Sequence, residues 1–265
     1  MVIATRLHLG NASVPPSTEK IQGWIHNLHA MVSSVDSAIQ GVIAVDAAPK
    51  MDGYDYVQAV RDQVQALGVT EQIFILPVTP WGTFVPALNA LVYHAHTTRH
   101  ADQILFVSAE VSVSAASILR LSEHCAEEKE EEDGSSSYVL VAGAALNGHL
   151  YQQNTGVLNG RTCPWNTLAI WNVTKLVLTG FVLVSDLGTT AGVEECAAVA
   201  VHQHVFPNQA RAKLVRLEDV DWQDSFEHDM ERRQWHERKM NSKLERAATQ
   251  LQLLGLEGKG NVEHC

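Results

Sequence analysis

Cysteine is scarce and scattered: Cys125, Cys163, Cys196 and Cys265 are the four in 265 residues, and none belongs to a CxxC pair. That spacing excludes a disulfide framework or a zinc site and suits reduced thiols in a cytoplasmic protein. Positive charge is also short, with 19 Lys and Arg against 30 Asp and Glu and a formal net charge of −11. Such a balance opposes attraction to nucleic acid or to anionic lipid. Long apolar runs are missing too. The most apolar stretch, Leu168 to Val184, is broken by Asn172, Thr174 and Lys175. It reads as a buried helix running into a strand and not as a membrane span. The N-terminus carries no extended apolar segment, so no secretory leader is expected. The sequons Asn11-Ala-Ser13 and Asn172-Val-Thr174 are then chance matches. Neither GxGxxG nor GxxxxGK[ST] occurs, which removes support for dinucleotide and P-loop ATP binding.

What is present is a globular composition, 46% hydrophobic and 18% charged, with enough apolar residues for a sizeable core. Val2 to Leu7 is a β-rich run. Ser17 or Thr18 can cap a helix whose inner face carries Ile21, Trp24, Ile25 and Leu28. Gly41 to Val45 is continuously apolar and ends at Asp46, as suits a strand buried on both faces. A helix over Tyr54 to Leu67 stops at Gly68, and Ile73 to Leu76 is another short strand. A helix over Pro86 to His96, a strand over Ile104 to Val107 and a helix over Ala115 to Ala126 follow. This alternation predicts right-handed βαβ units, hence an α/β fold with a mostly parallel central sheet flanked by helices. The acidic run Glu127 to Asp133 reads as a solvated loop, and Tyr138 to Ala142 resumes a strand. From Val220 to Leu254 the chain is charged and helical, with His228, Arg232, Trp235, Lys239 and Lys243 among acids. It is expected to be an arm packed on the main domain, or a dimer contact that leaves a homo-oligomer open.

Ligands in open α/β sheets sit beyond the carboxyl ends of the strands. Two acids are expected there: Asp46 ends one strand, and Ser108-Ala-Glu110 ends another. Each could simply cap the next helix; together they suit contacts to a base or ribose, or a divalent cation held against a diphosphate. Gly82 stands where a strand hands over to a helix that carries Pro86 in its first turn and then Asn89. Backbone N–H groups at such a start can face an anion. Gly192-Val-Glu194-Glu195 opens a further helix over Glu194 to His204. Its acids complement the helix dipole or, alternatively, take a proton from an acceptor hydroxyl.

In the order of these features, residues 1–215 resemble the GT-A nucleotide-sugar glycosyltransferases, particularly the family 2 type. Val2 to Arg6 resembles the family's first strand, and Gly41 to Asp46 its second. Gly82 with Ala87, Leu88 and Asn89 resembles the segment leading to the metal strand. Ile104 to Glu110 stands where the family carries DxD, and Trp165 to Trp171 through Gly180-Phe181 resembles the acceptor-side helix and its ending. Gly192 to Glu195 stands at the acidic base motif.

The resemblance implies transfer of a sugar from a nucleotide-diphosphate donor to a hydroxyl acceptor. Asp46, Gly82, Asn89 and Ser108 would line the donor site, and Glu110 would hold Mg²⁺ or Mn²⁺. Glu194 or Glu195 would act as the base. One departure stands out: Ser108 replaces the first acid of DxD, leaving Glu110 alone. The alternative is therefore a GT-A-like binding or assembly module that has lost catalysis. A sugar-phosphate nucleotidyltransferase fits less well, because Thr5-Arg-Leu-His-Leu-Gly10 is poor in glycine. Of the late histidines that the family lends to its metal, His202, His204, His228 and His236 are all available. Residues 216–265 are expected to form the C-terminal helical arm and tail.

Overall fold

The computed structural model describes all residues except 11–13, 37, 50–52, 131–135 and 223–229, and for 230–237 and 239 only the backbone. The Asn11 sequon, the end of the acidic run and His228 thus lie outside the described residues. So do the side chains of Arg232, Trp235, His236 and Lys239.

The chain runs β1 (Val2–Leu7), α1 (Thr18–Val35), β2 (Gln40–Asp46), α2 (Tyr56–Ala66), β3 (Ile73–Val78), α3 (Val85–Thr97) and β4 (Gln103–Val107). It continues as β5 (Val111–Val113), α4 (Ala115–Ala126), β6 (Glu128–Glu130), β7 (Ser136–Ala144), β8 (Asn154–Val157), β9 (Leu168–Asn172) and α5 (Val173–Leu176). Two 3-10 turns, Leu183–Asp186 and Gly188–Thr190, lead to α6 (Glu194–Val205). The last elements are β10 (Ala210–Val215), β11 (Val220–Trp222), α7 (Met230–Leu253) and β12 (Asn261–His264).

One sheet organises the molecule, in the order β3-β2-β1-β4-β9-β7-β10-β12-β8, with β6 paired to the start of β7. Strands β1, β2, β3, β4, β7, β10 and β12 point one way, while β6, β8 and β9 are reversed. The sheet is therefore mostly parallel. Ile3, Ala4, Val42 to Val45, Ile104 and Leu105 are all buried, because helices cover both faces of these central strands. Helix α1 starts at Ser17, whose hydroxyl accepts from the Lys20 N–H at 3.3 Å, and it buries Ile21, Ile25 and Leu28. Trp24, expected on that inner face, is only half-buried.

Chain order places the working edge. From β1 the chain steps outward through β2 to β3, then crosses through α3 to β4 on the other side of β1. The carboxyl ends of β1 and β4 consequently flank a topological switch point.

Two expectations change. Leu168 to Asn172 is a strand and the short helix α5 follows it, the reverse of the expected order. The same finding replaces the acceptor-side helix expected over Trp165 to Trp171. Lying between β4 and β7, β9 is buried on both faces, so its residues carry no period that separates strand from helix. The segment 216–265, expected as a helical arm and tail, also adds a strand to the main sheet. Met240, Ala247, Gln250 and Leu251 of α7 are buried, and β12 enters the main sheet parallel to β10. Arg211 of β10 grips Glu263 of β12 through two hydrogen bonds of 2.6 and 2.7 Å. No helix among the described residues is long and apolar enough to cross a membrane.

Val262 of β12 is fully buried. Val262→Asp should cost about 3–5 kcal/mol as an unpaired buried charge, lowering the melting temperature by roughly 10 °C. A shift of less than about 2 °C in calorimetry would mean that this strand is a dispensable tail.

Candidate functional site

At the switch point lies a cleft of about 230 Å³. Strand β1 and its extension contribute Thr5, Arg6 and His8; the end of β4 contributes Phe106 to Glu110. Trp24, Trp81, Phe84 and Asn166 close the sides. The Thr5 hydroxyl and the Trp81 indole N–H are buried, and neither has a hydrogen-bond partner. A buried donor left unpaired costs about 1–3 kcal/mol, so a ligand offering acceptor oxygens would relieve both. His8 lies against Trp81 with ring centroids 5.9 Å apart. The Arg6 guanidinium lies 5.7 Å from the centre of the Phe84 ring, and its side chain is 20% exposed. Sequence reading passed over Arg6, Trp24, Trp81 and Asn166. A cation at the end of the first strand was the legible signal, since that end is where such sheets bind ligands.

Behind the cleft, Asn166 joins two buried glutamates. Its backbone N–H donates to Glu195 Oε1 and its side-chain amide to Glu194 Oε1 at 3.4 Å. Its own Oδ1 accepts from the Trp171 indole at 2.8 Å. Glu194 Oε1 also lies 3.5 Å from Arg6. The turn that aims these acids is forced, with Gly192 at φ +95° and Val193 at φ +55°, left-handed backbone that a β-branched residue rarely adopts. A Cβ on Gly192 would lie 2.6 Å from Arg246 Nη1, which donates to the Ala191 carbonyl at 2.6 Å. From the same helix, Lys243 rests its ammonium 3.2 Å from the centre of the Trp165 ring.

Neither glutamate lines the cleft, and their exposures are 4% and 5%. The two residues expected to supply the base thus lie outside the cleft lining, hydrogen-bonded to Asn166. Burial, and next the charge of Glu194, push the Glu195 carboxyl up to about 7, against the opposing pull of Lys243.

The other expected residues divide. Ser108 and the exposed Glu110 line the cleft. Asp46 is buried at the end of β2, where it accepts from the Ala48 N–H at 3.1 Å and borders a separate hollow with Tyr54 and Tyr56. Gly82 is explained differently from the expectation. The amides of Thr83, Phe84 and Val85 all donate to Asp186, at 2.6 to 3.0 Å, so a side chain of this protein occupies the α3 N-terminus. Gly82 has φ +64°, and a Cβ there would sit 2.2 Å from that carboxylate. Asn89 exchanges two hydrogen bonds of 2.9 Å with the backbone of Phe181, clipping α3 to the turn after α5. Gly82 and Asn89 therefore build the wall of the site and stand outside the lining.

The donor set does not fit Mg²⁺ or Mn²⁺. Among the described residues, no three His, Cys, Asp or Glu side chains converge as a metal centre requires. Glu110 is the one carboxylate among the described residues of the cleft lining. His202 is held between the Tyr138 hydroxyl at 2.7 Å and the Thr179 hydroxyl at 2.9 Å, and His204 borders a distant hollow with Arg211 and Lys259.

No protein-family model matches the chain, and no curated protein matches it by sequence. Several solved structures are similar. One is the galactosyltransferase LgtC in complex with donor and acceptor sugar analogues, with 10% identity and a TM-score of 0.38 over 65% of this chain and 58% of that one. A second is the apo WbbM bifunctional glycosyltransferase, with 11% identity and a TM-score of 0.36 over 66% of this chain. This chain spans about a third of that protein's length, 32%. A third is mannose-1-phosphate geranyltransferase from Thermus thermophilus, with 11% identity and a TM-score of 0.32 over 60% of this chain and 44% of that one. Likeness at these scores carries no argument about reaction or ligand, so the chemistry has to be read from the cleft itself.

Because the Glu195 pKa is raised on folding, its protonated form contributes stability that is full below the ordinary carboxylate range. That contribution is lost as pH rises through about 7. Glu195→Gln keeps an acceptor for Asn166 and removes the charge. It should raise the melting temperature by roughly 5 °C at pH 8 and change it little at pH 5. An equal shift at both pH values would contradict the assignment.

Proposed function

We propose that the cleft binds a nucleotide-diphosphate sugar and that the chain transfers the sugar to a hydroxyl acceptor. The observation that carries this reading is the placement of the cleft at the β1–β4 switch point, with Thr5, Arg6 and Trp81 in its lining. Arg6 faces the diphosphate. Trp24 and Trp81 offer flat surfaces to a base or sugar ring, while Asp46, expected at the nucleotide, lines a separate hollow. Glu110, the acid that does line the cleft, takes over the role first expected of Glu194 and Glu195. It accepts the acceptor's proton as the acceptor oxygen bonds to the anomeric carbon; the bond to the diphosphate breaks, and its electron pair leaves with the nucleotide.

The lone acid beside Ser108 favours a second reading, a binding or assembly module without catalysis. Thermal-shift titration with UDP-, GDP- and dTDP-sugars, paired with a transfer assay, separates the two. Transfer predicts stabilisation by at least one donor, with Glu110→Gln retaining that stabilisation while losing about 100-fold or more in rate. Donor binding without turnover would select the module reading. Absence of any shift would overturn the transfer reading and leave an assembly module.

A further inference from the structure

The cleft offers few ligands for a metal, yet its lining carries an arginine. A divalent cation needs several hard oxygen ligands, and the cleft offers Glu110 and the Ser108 hydroxyl. Asp46 opens on a different hollow, and Glu194 and Glu195 are spent on Asn166 and Arg6.

The cations are arranged otherwise. Arg6 meets Glu194 from β1, while Lys243 and Arg246 approach the glutamate pair from α7. Three cations thus offset the two buried carboxylates, while the cleft lining itself carries Arg6 and Glu110. Arg6 is the member of the trio that lines the cleft. Its guanidinium has five N–H donors in a rigid fork, and the contact with Glu194 is made by Nη1. The Phe84 ring and Glu194 fix its plane. Beside it stand the Thr5 hydroxyl and the Trp81 indole N–H, both buried without partners.

We infer that this cleft binds the diphosphate of its nucleotide through Arg6, with Thr5 and Trp81 as further donors, and without a divalent cation. The inference rests on the donor-binding reading above and deepens it. Arg6 then neutralises the charge that grows on the departing diphosphate, a role otherwise given to the metal.

Calorimetric titration of the full chain with uridine, UMP and UDP, and with the guanosine and thymidine series, tests it in EDTA and again in MnCl₂. The expected result is a tighter affinity with each added phosphate, by about tenfold per step, equal in both buffers. Arg6→Ala should weaken diphosphate binding about 30-fold or more while leaving the nucleoside unchanged. Arg6→Lys should recover part of the loss, because it restores the charge without the fork. Circular dichroism of the two variants separates lost binding from lost folding, and an unfolded Arg6→Ala leaves Arg6→Lys to decide. Diphosphate binding that requires manganese would overturn this inference and leave the nucleotide reading standing. Metal-independent binding indifferent to both Arg6 variants would overturn the role of Arg6. No binding of any nucleotide in either buffer would overturn the donor-binding reading as well.

Discussion

Two adjacent carboxylates, Glu194 and Glu195, are buried at the start of α6, and the candidate site depends on how that burial is made tolerable. Removing a carboxylate from water costs several kcal/mol unless hydrogen bonds and opposite charge replace the solvent. Asn166 supplies two donors, while Arg6, Lys243 and Arg246 supply the charge. These partners come from β1, from the turn before β9 and from α7, segments far apart in the chain. The acids therefore draw the first strand, the middle of the sheet and the C-terminal helix onto one point. The C-terminal segment had to be part of the domain for this to work, and both α7 and β12 show that it is.

The same principle governs the wall of the cleft. The α3 N-terminus gathers three N–H groups, an anion site by geometry, and Asp186 from the turn before α6 fills it. Asn89 adds a second link between α3 and the turn after α5. Gln250 of α7 holds the next loop, donating to the carbonyls of Thr190 and Gly192 and accepting from Ser185. Internal partners fix the scaffold on this side, whereas the buried Thr5 hydroxyl and Trp81 indole N–H belong to residues of the cleft lining and have no partner. The proposed ligand site rests on that division between satisfied wall and unsatisfied lining.

Much of the fold was legible because its signals are local. Short apolar runs ending in turns marked β1, β2, β3 and β4, and helical spacing marked α1 to α4. The switch-point cleft follows from strand order and chain direction, so Ser108 and Glu110 could be placed at it from sequence. Roles that depend on distant partners were not legible. Nothing beside Glu194 announces that Asn166 and Arg6 bury it, and nothing beside Gly82 announces Asp186, about a hundred residues away. The identity of β9 was hidden because double-faced burial erases periodicity. The return of the C-terminus to the sheet was hidden because β12 is four residues long and follows a highly charged helix.

The central claim is that Glu194 serves the cleft by holding Arg6. A double-mutant cycle on folding stability, with Arg6→Gln, Glu194→Gln and the pair, measures that interaction directly. The account predicts a coupling of about 1–3 kcal/mol, with the double variant less destabilised than the sum of the single ones. A coupling indistinguishable from zero would show that the two residues are neighbours without being partners, and the arrangement of the cleft would need another cause.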